Sequence, residues 1–388
     1  MPVEITDRGT TTLIVYDRHL ESTAALIRKS PLPLLSVGNR YLCEHQMEWL
    51  SDAGYRKLRF SLFDRQRETE KLVGDGERWG AEVAYSIDPA SLSIKEILRK
   101  HRHYTQSGLL ILEGSAIFRF KFPTEILRST LFVSQNHPLP LIYLTQDDLK
   151  TLVSTLEKPR TVGELVTTAM QTMPDLRLQD VPDAFYHPLT NIGEFGRMNR
   201  VIQAQPAILH FKGVLHNPQV VVGRKVNLAK TCVLKGPALV GDNAILRSEA
   251  EVGPGAFIGE RSFIDSGARI KNSVIAPDTY IGKYTCFENK YVSGNYVLDL
   301  EGKNYIFIDD PMIIDDFSRS WKRIVDRTRW LEKACTCLLL VVGLPLFPLL
   351  ALIHRLQKGS WWKQQEVLLQ PVKKDLSGRY DYQWEVGS

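Results

Sequence analysis

From Val222 onward an aliphatic side chain returns at every sixth position: Val222, Leu228, Leu234, Val240, Leu246, Val252, Ile258, Ile264 and Ile270. After a one-residue slip the series resumes at Ile275, Ile281 and Phe287. Two positions earlier in each unit runs a second series, small almost throughout: Val220, Val226, Cys232, Ala238, Ala244, Ala250, Ala256, Ser262, Ala268, then Ser273, Thr279 and Thr285. Glycine follows the aliphatic residue at Gly223, Gly241, Gly253, Gly259 and Gly282. A six-residue period is neither that of a helix nor a plain alternation. It predicts a coil with three flat sides, one hexapeptide to a side, with the aliphatic residue pointing inward onto its equivalent in the next coil. The small residue is expected where the interior is tight, and glycine where the chain turns a corner.

Other patterns precede the repeat. "TTLIVYD" (11–17) reads as a strand, and "SGLLILEGSAIFRF" (107–120) as a buried strand running into a turn. Between them, "NRYLCEHQMEWLSDAGYRKLRFSL" (39–62) reads as helix, glycine stop and strand, with Cys43, Met47 and Leu50 on one helical face. The stretch 145–180 predicts an amphipathic helical insert with Leu149, Leu152, Val153 and Leu156 on its apolar side. These patterns imply an α/β domain over 1–205, a hexapeptide coil over 206–312 and a third part over 313–388.

The third part carries "CTCLLLVVGLPLFPLLALIH" (335–354). As a straight helix, residues 335–353 would span about 28 Å, close to the ~30 Å of a hydrocarbon core. Pro345 and Pro348 should bend it, and both flanks are basic: Lys322, Arg323, Arg327, Arg329 and Lys333 before it, His354, Arg355, Lys358 and Lys363 after it. Short basic flanks stay on the cytoplasmic side, so both together predict a bent hairpin that enters and leaves by one face. Leu338, Leu339 and Leu340 would lie in lipid, with Trp361 and Trp362 at the headgroups. A true crossing and a buried soluble helix are the alternatives.

Composition narrows the field only a little. The 388 residues carry a formal charge of +5, too small and diffuse to argue for nucleic acid. Five cysteines without a CxxC pair suggest neither a disulfide framework nor a zinc site. The first ten residues lack a basic-then-apolar leader pattern, so a reducing cytoplasmic setting is expected.

The repeat resembles the hexapeptide-repeat, left-handed β-helix family. Many of its members are acyltransferases, whose chemistry needs a histidine base near the coil. None occurs between Asn217 and Leu300, which disfavours that activity; His210 and His216 stand just before. The first half resembles the sugar-1-phosphate nucleotidyltransferases through "PLPLLSVGNRYLCEHQMEWLSDAGYRKLRF" (31–60), "GDGERWGAEVAYSID" (74–88), "LLILEGSAI" (109–117) and "AFYHPLTNIGEFGRMNRVI" (184–202). The resemblance implies a Rossmann-like α/β fold followed by the coil. It also implies backbone amides and cations around phosphates, and carboxylates holding Mg²⁺. Here the loop after the first strand has no glycine. The motif lysine falls on Leu32, one metal aspartate on Ser115, and the other on His187 or Asn191. Glu113 and Asp75 are the carboxylates that could replace them, and Arg28 and Lys29 the cations, although an edge residue and solvated charges are the plainer readings. Since "GDGERWG" is retained, Gly74, Asp75, Gly76, Arg78, Trp79 and Glu113 are the candidates for binding a nucleotide or sugar; Trp79 could stack on a base or pack in the core. Finally, residues 322–360 resemble the membrane-docking start of bacterial polyprenyl-phosphate sugar transferases, without their catalytic core.

The expectation is a catalytically silent protein that binds a sugar nucleotide, or holds a polyprenyl-phosphate sugar transferase, on the cytoplasmic face of the inner membrane during surface polysaccharide assembly. No cofactor is then required. An active sugar-1-phosphate nucleotidyltransferase, with Mg²⁺, is the alternative. Membrane lipid and further copies of the chain are the other expected partners; nucleic acid is not.

Overall fold

The computed structural model describes residues 8–16, 31–89, 91–101, 108–156, 159–205, 208, 209, 211, 213–301, 304–317, 336 and 353. Arg28, Lys29, His210 and the apolar stretch with Leu338, Leu339, Leu340, Pro345, Pro348, Trp361 and Trp362 lie outside the described residues. Among the described residues no helix is long and apolar enough to cross a membrane. Residues 1–319 form one compact unit and 320–388 another.

The first unit begins with a seven-stranded sheet in the order Arg177–Asp180, Thr130–Ser134, His137–Leu144, Leu109–Glu113, Thr11–Val15, Lys57–Leu62, Glu82–Ile87. The last four are parallel to one another, and His137–Leu144 runs antiparallel to both of its neighbours. Side chains alternate across this sheet as a strand requires. Leu13, Val15, Leu109 and Ile111 face one core. Ile14, Tyr16, Leu110 and Leu112 face the other. Both faces need cover, and helices supply it. On the first face lie Ile94–His101, Gln146–Thr155 and Val162–Thr172, the last two being the expected insert. Leu149, Leu152 and Leu156 are buried there, with Val153 packed against them. The insert also adds the edge strand Arg177–Asp180. On the second face lies helix Leu42–Asp52, with Cys43, Met47 and Leu50 fully buried.

The repeat forms three parallel ladders. Val220–Val222 pairs with Ala238–Val240 and that with Ala256–Ile258, and two further ladders follow the same period. The slip in the sequence is a shortened coil: Ala238 pairs with Ala256, eighteen residues on, whereas Phe257 pairs with Val274, seventeen on. Ala244, Ala250, Ala256, Ser262, Ala268, Ser273 and Thr279 are buried, so the small-residue series does line a tight interior. Glycine at Gly223, Gly241 and Gly259 has a different cause from the one expected. None of the three has positive φ; a Cβ there would collide with the backbone of the next coil. The left-handed corners fall two residues later, on Lys225, Asn243 and Arg261, with Asp278 in the same place two after Ala276. The coil also continues past 312, because Ile314–Asp316 pairs antiparallel with Thr279–Ile281.

The coil packs onto the α/β half through one shared core that joins Phe195 and Ile202 to Leu239, Phe257, Tyr291 and Leu300. At its border the Tyr41 hydroxyl donates to Glu260, while Arg261 binds both Glu260 and Asp278. Widening the tight side of the coil should be costly. Ala250→Leu is expected to destabilise by about 1–3 kcal/mol through overpacking, read by chemical denaturation; an unchanged midpoint would contradict the stacked interior.

Candidate functional site

Chain connectivity selects one end of the sheet. From Thr11–Val15 the chain passes to Lys57–Leu62 and Glu82–Ile87 on one side, then crosses back to Leu109–Glu113 on the other. In open α/β sheets, ligand crevices form at the carboxyl ends of the strands, where the order reverses. Here that point lies between Tyr16 and Glu113.

A buried hydrogen-bond bridge shapes it. Gln46, inside helix Leu42–Asp52, donates through Nε2 to Gly114 O and Ala116 O, 2.8 Å each, and accepts the Tyr16 hydroxyl at 2.7 Å. Gly114 N also donates to Val15 O. A Cβ on Gly114 would press on the Tyr16 ring, so the tight turn requires glycine. Burial raises the Tyr16 hydroxyl well above its ordinary pKa, keeping it a neutral donor. The turn presents Glu113, whose Oε1 accepts the Ser115 hydroxyl at 2.7 Å. Val15, Tyr16, Ile94, Glu113, Arg160 and Thr161 line a notch at this edge. Thr161 caps helix Val162–Thr172, accepting from Glu164 N, so a helix N-terminus opens onto the notch that Arg160 and Glu113 both line.

Other sequence candidates have local structural partners. Leu32 is a fully buried core residue. His187 Nε2 lies 2.9 Å from Glu194 O and 3.5 Å from its carboxylate. Asn191 Oδ1 caps the following helix by accepting from Glu194 N at 2.9 Å. Arg197 on Glu194 holds that carboxyl below its ordinary range. Leu189 N donates to Ser115 O, which ties this group to the turn; burial raises the Tyr186 hydroxyl, and Glu113 and Glu194 raise it further.

Gly74, Asp75, Gly76, Arg78 and Trp79 belong to the turn before the edge strand Glu82–Ile87, not to the strand that ends in Glu113. Val83 N donates to Asp75 O, which sets the glycine-rich turn at the start of strand Glu82–Ile87, not at its end. That strand stands three places from Leu109–Glu113, roughly 14 Å at ~4.8 Å per strand. Arg78 instead lies over the Trp79 ring and 3.8 Å from Glu44, and Trp79 packs partly buried on the core. A cleft of about 830 Å³ lined by Arg8, Trp49, Tyr55, Phe120 and Lys121 is the roomiest of these features, but it opens where the parallel strands begin. Position on the sheet therefore outweighs volume.

Sequence reading missed Tyr16 and Gln46, whose partners lie far along the chain. It also missed Asp88, which ends its strand on the same edge as Glu113. Asp88 is buried and accepts from Ser61 at 2.5 Å, Ser86 at 3.1 Å and Lys100 at 2.9 Å, with His101 at 3.9 Å. Burial alone would raise its carboxyl; His101, Ser61 and Lys100 outweigh that and hold it well below the carboxylate range. Only the strand-ending position of "YSID" marked it.

No family model matches the chain. Over 330 residues it is 20% identical to a UTP–glucose-1-phosphate uridylyltransferase of Synechocystis sp., covering 70% of this chain and 84% of that protein. The likeness supports a nucleotidyltransferase-like protein. A crystal structure assigned as a glucose-1-phosphate thymidylyltransferase of Bacillus anthracis, in complex with a sucrose, superposes with a TM-score of 0.43 at 10% identity, over 50% of this chain and 94% of that one. That overlap is too partial to bear on the fold.

Because the folded Asp88 pKa is depressed, its stabilisation is present above the unfolded value near 4 and is lost as pH falls below it. Asp88→Asn should cost about 1–3 kcal/mol at pH 7 and flatten the acid limb of the stability curve. Equal acid limbs for the two proteins, in denaturation between pH 3 and 7, would refute the assignment.

Proposed function

We propose that this chain is a sugar-1-phosphate nucleotidyltransferase-like protein that binds a nucleoside diphosphate sugar across the switch point of its sheet. The observation that carries the reading is the buried turn that sets Glu113 beside Arg160 and the start of helix Val162–Thr172, where the strand order reverses. The diphosphate would lie against the helix N-terminus and Arg160, and Glu113 would accept from sugar or ribose hydroxyls. The relative's name supplies the first ligands to try: UDP-glucose, or UTP with glucose 1-phosphate.

The likeness to a uridylyltransferase favours turnover, and that reading would call for Mg²⁺. At the positions where the resemblance places the metal aspartates stand Ser115 and His187 or Asn191, none of which supplies the anionic oxygen that Mg²⁺ prefers. No three His, Cys, Asp or Glu side chains among the described residues come together to hold a metal. Glu113 accepts from Ser115, and His187 is tied to Glu194. These partners favour the second reading, recognition without conversion. Titration of the full chain with UDP-glucose, alongside a pyrophosphate-release assay with UTP, glucose 1-phosphate and Mg²⁺, tests both. We expect saturable binding that Glu113→Gln weakens about tenfold or more, the loss of one charge-assisted hydrogen bond, with no pyrophosphate release. Absence of binding would overturn the proposal. Turnover that Glu113→Gln abolishes would establish the active enzyme instead.

In the same reading the coil is a left-handed hexapeptide β-helix, and residues 335–353 dock on the cytoplasmic face of the inner membrane near polysaccharide assembly, with a polyprenyl-phosphate sugar transferase as the candidate partner. The basic flanks and the two prolines support the docking. The full chain should sediment with membranes, and deletion of 320–388 should release it. A full chain that stays in the supernatant without detergent would rule the docking out.

A further inference from the structure

Beyond its own sheet, the Glu113 turn is held from two sides. On one, Gln46 of helix Leu42–Asp52 donates to Gly114 O and Ala116 O. On the other, strand Phe185–Pro188 sets Pro188 opposite Ala116, and Leu189 N donates to Ser115 O at 2.7 Å. That strand runs on into helix Ile192–Ala204, to which His187 is tied through Glu194.

Both supports rest on the coil. Tyr41 is the N-cap of helix Leu42–Asp52, and its amide donates to Glu44 Oε2 at 3.1 Å, in the helical turn that leads into Gln46. Its hydroxyl donates to Glu260 Oε1 at 3.1 Å, across 219 residues of chain. Burial, and then Glu260, raise that hydroxyl well above its ordinary pKa, so it stays a neutral donor. Glu260 is fixed by Arg261 at 2.6 Å, and Arg261 holds Asp278 through two contacts of 2.6 and 2.9 Å. Helix Ile192–Ala204 meets the coil near both of its ends. Gln203 Nε2 donates to Gly255 O at 2.8 Å, and the Phe195 ring stands edge-on to Tyr291 with centroids 5.2 Å apart. Gly196 lies so close to Leu300 that a Cβ there would come within 2.8 Å of the Leu300 carbonyl oxygen.

A short helix moves as a rigid piece, and hydrogen-bond chains carry displacement between the elements they join. A shift at Tyr41 therefore moves Gln46, and with it the carbonyls of Gly114 and Ala116. We propose that the coil positions the Glu113 turn, with Tyr41 and Glu260 as positioning residues that act on it through Gln46. The bearing of this on binding rests on the reading of Glu113 given above; the positioning itself does not.

Hydrogen exchange of the full chain in a mild detergent tests it, followed at the Gly114 and Leu189 amides. Tyr41→Phe removes the donor and Glu260→Ala the acceptor. Each should speed those amides about three- to tenfold, the range of one such hydrogen bond. The two changes together should do no more than either alone, because they break the same contact. Glu260→Gln keeps an acceptor and should restore the wild-type rate. Ala250→Leu, which strains the coil interior without removing this hydrogen bond, should leave both amides unchanged. UDP-glucose should bind Tyr41→Phe more weakly by the same factor. Unchanged amides in Tyr41→Phe would overturn the proposal. So would an equal rise in Ala250→Leu, which would mean general loosening. If the exchange pattern holds and the wild type binds no UDP-glucose, the positioning stands and the ligand reading fails.

Discussion

One buried amide, Gln46, holds together the part of this molecule where the proposed ligand site lies. Its nitrogen binds the two carbonyls that flank Ser115, and its oxygen binds Tyr16. Each group it satisfies is shielded from water, where a lost partner costs about 1–3 kcal/mol. The first strand, the covering helix and the Glu113 turn are thereby fixed as one body. The position of Glu113 is a property of the core beneath it and does not depend on a loop.

The coil obeys a related constraint. Its inner positions alternate small and aliphatic residues, and its stacked backbones approach so closely that glycine is required where the next coil passes. One face of the coil then continues into the core of the α/β half through Leu239, Phe257 and Tyr291. The border of Tyr41, Glu260, Arg261 and Asp278 is polar and partly buried, which orients the two halves without adding apolar area. The described residues between 8 and 317 are for that reason a single packed object, although two kinds of sequence pattern compose it.

Much of this was legible in the sequence because it repeats or alternates. The six-residue series, its slip, the helix with Cys43 and Met47, and the strands around "LIVY" and "LLILE" all report local periods. The site was only half legible. Glu113 was visible as the end of an apolar run, and "GDGERWG" as a retained motif, but the sequence did not show that the motif precedes the edge strand. Nothing local distinguishes a turn that opens a strand from one that closes it. Tyr16 and Gln46 are thirty residues apart, and Asp88 is reached by Lys100 and His101 from a helix beyond; such pairings depend on topology, which no short window contains. Gly253 has the positive φ expected of a corner, whereas Gly223, Gly241 and Gly259 are required by close approach between coils, a long-range fact.

The account stands on the claim that the ligand end of the sheet is the one carrying Glu113. A crystal of the full chain soaked with UDP-glucose tests it most directly. The diphosphate is predicted over the ends of Thr11–Val15 and Leu109–Glu113, in contact with Arg160 and the first turn of helix Val162–Thr172. Density for the nucleotide at the Gly74–Trp79 turn, or in the cleft beside Trp49 and Phe120, would contradict it.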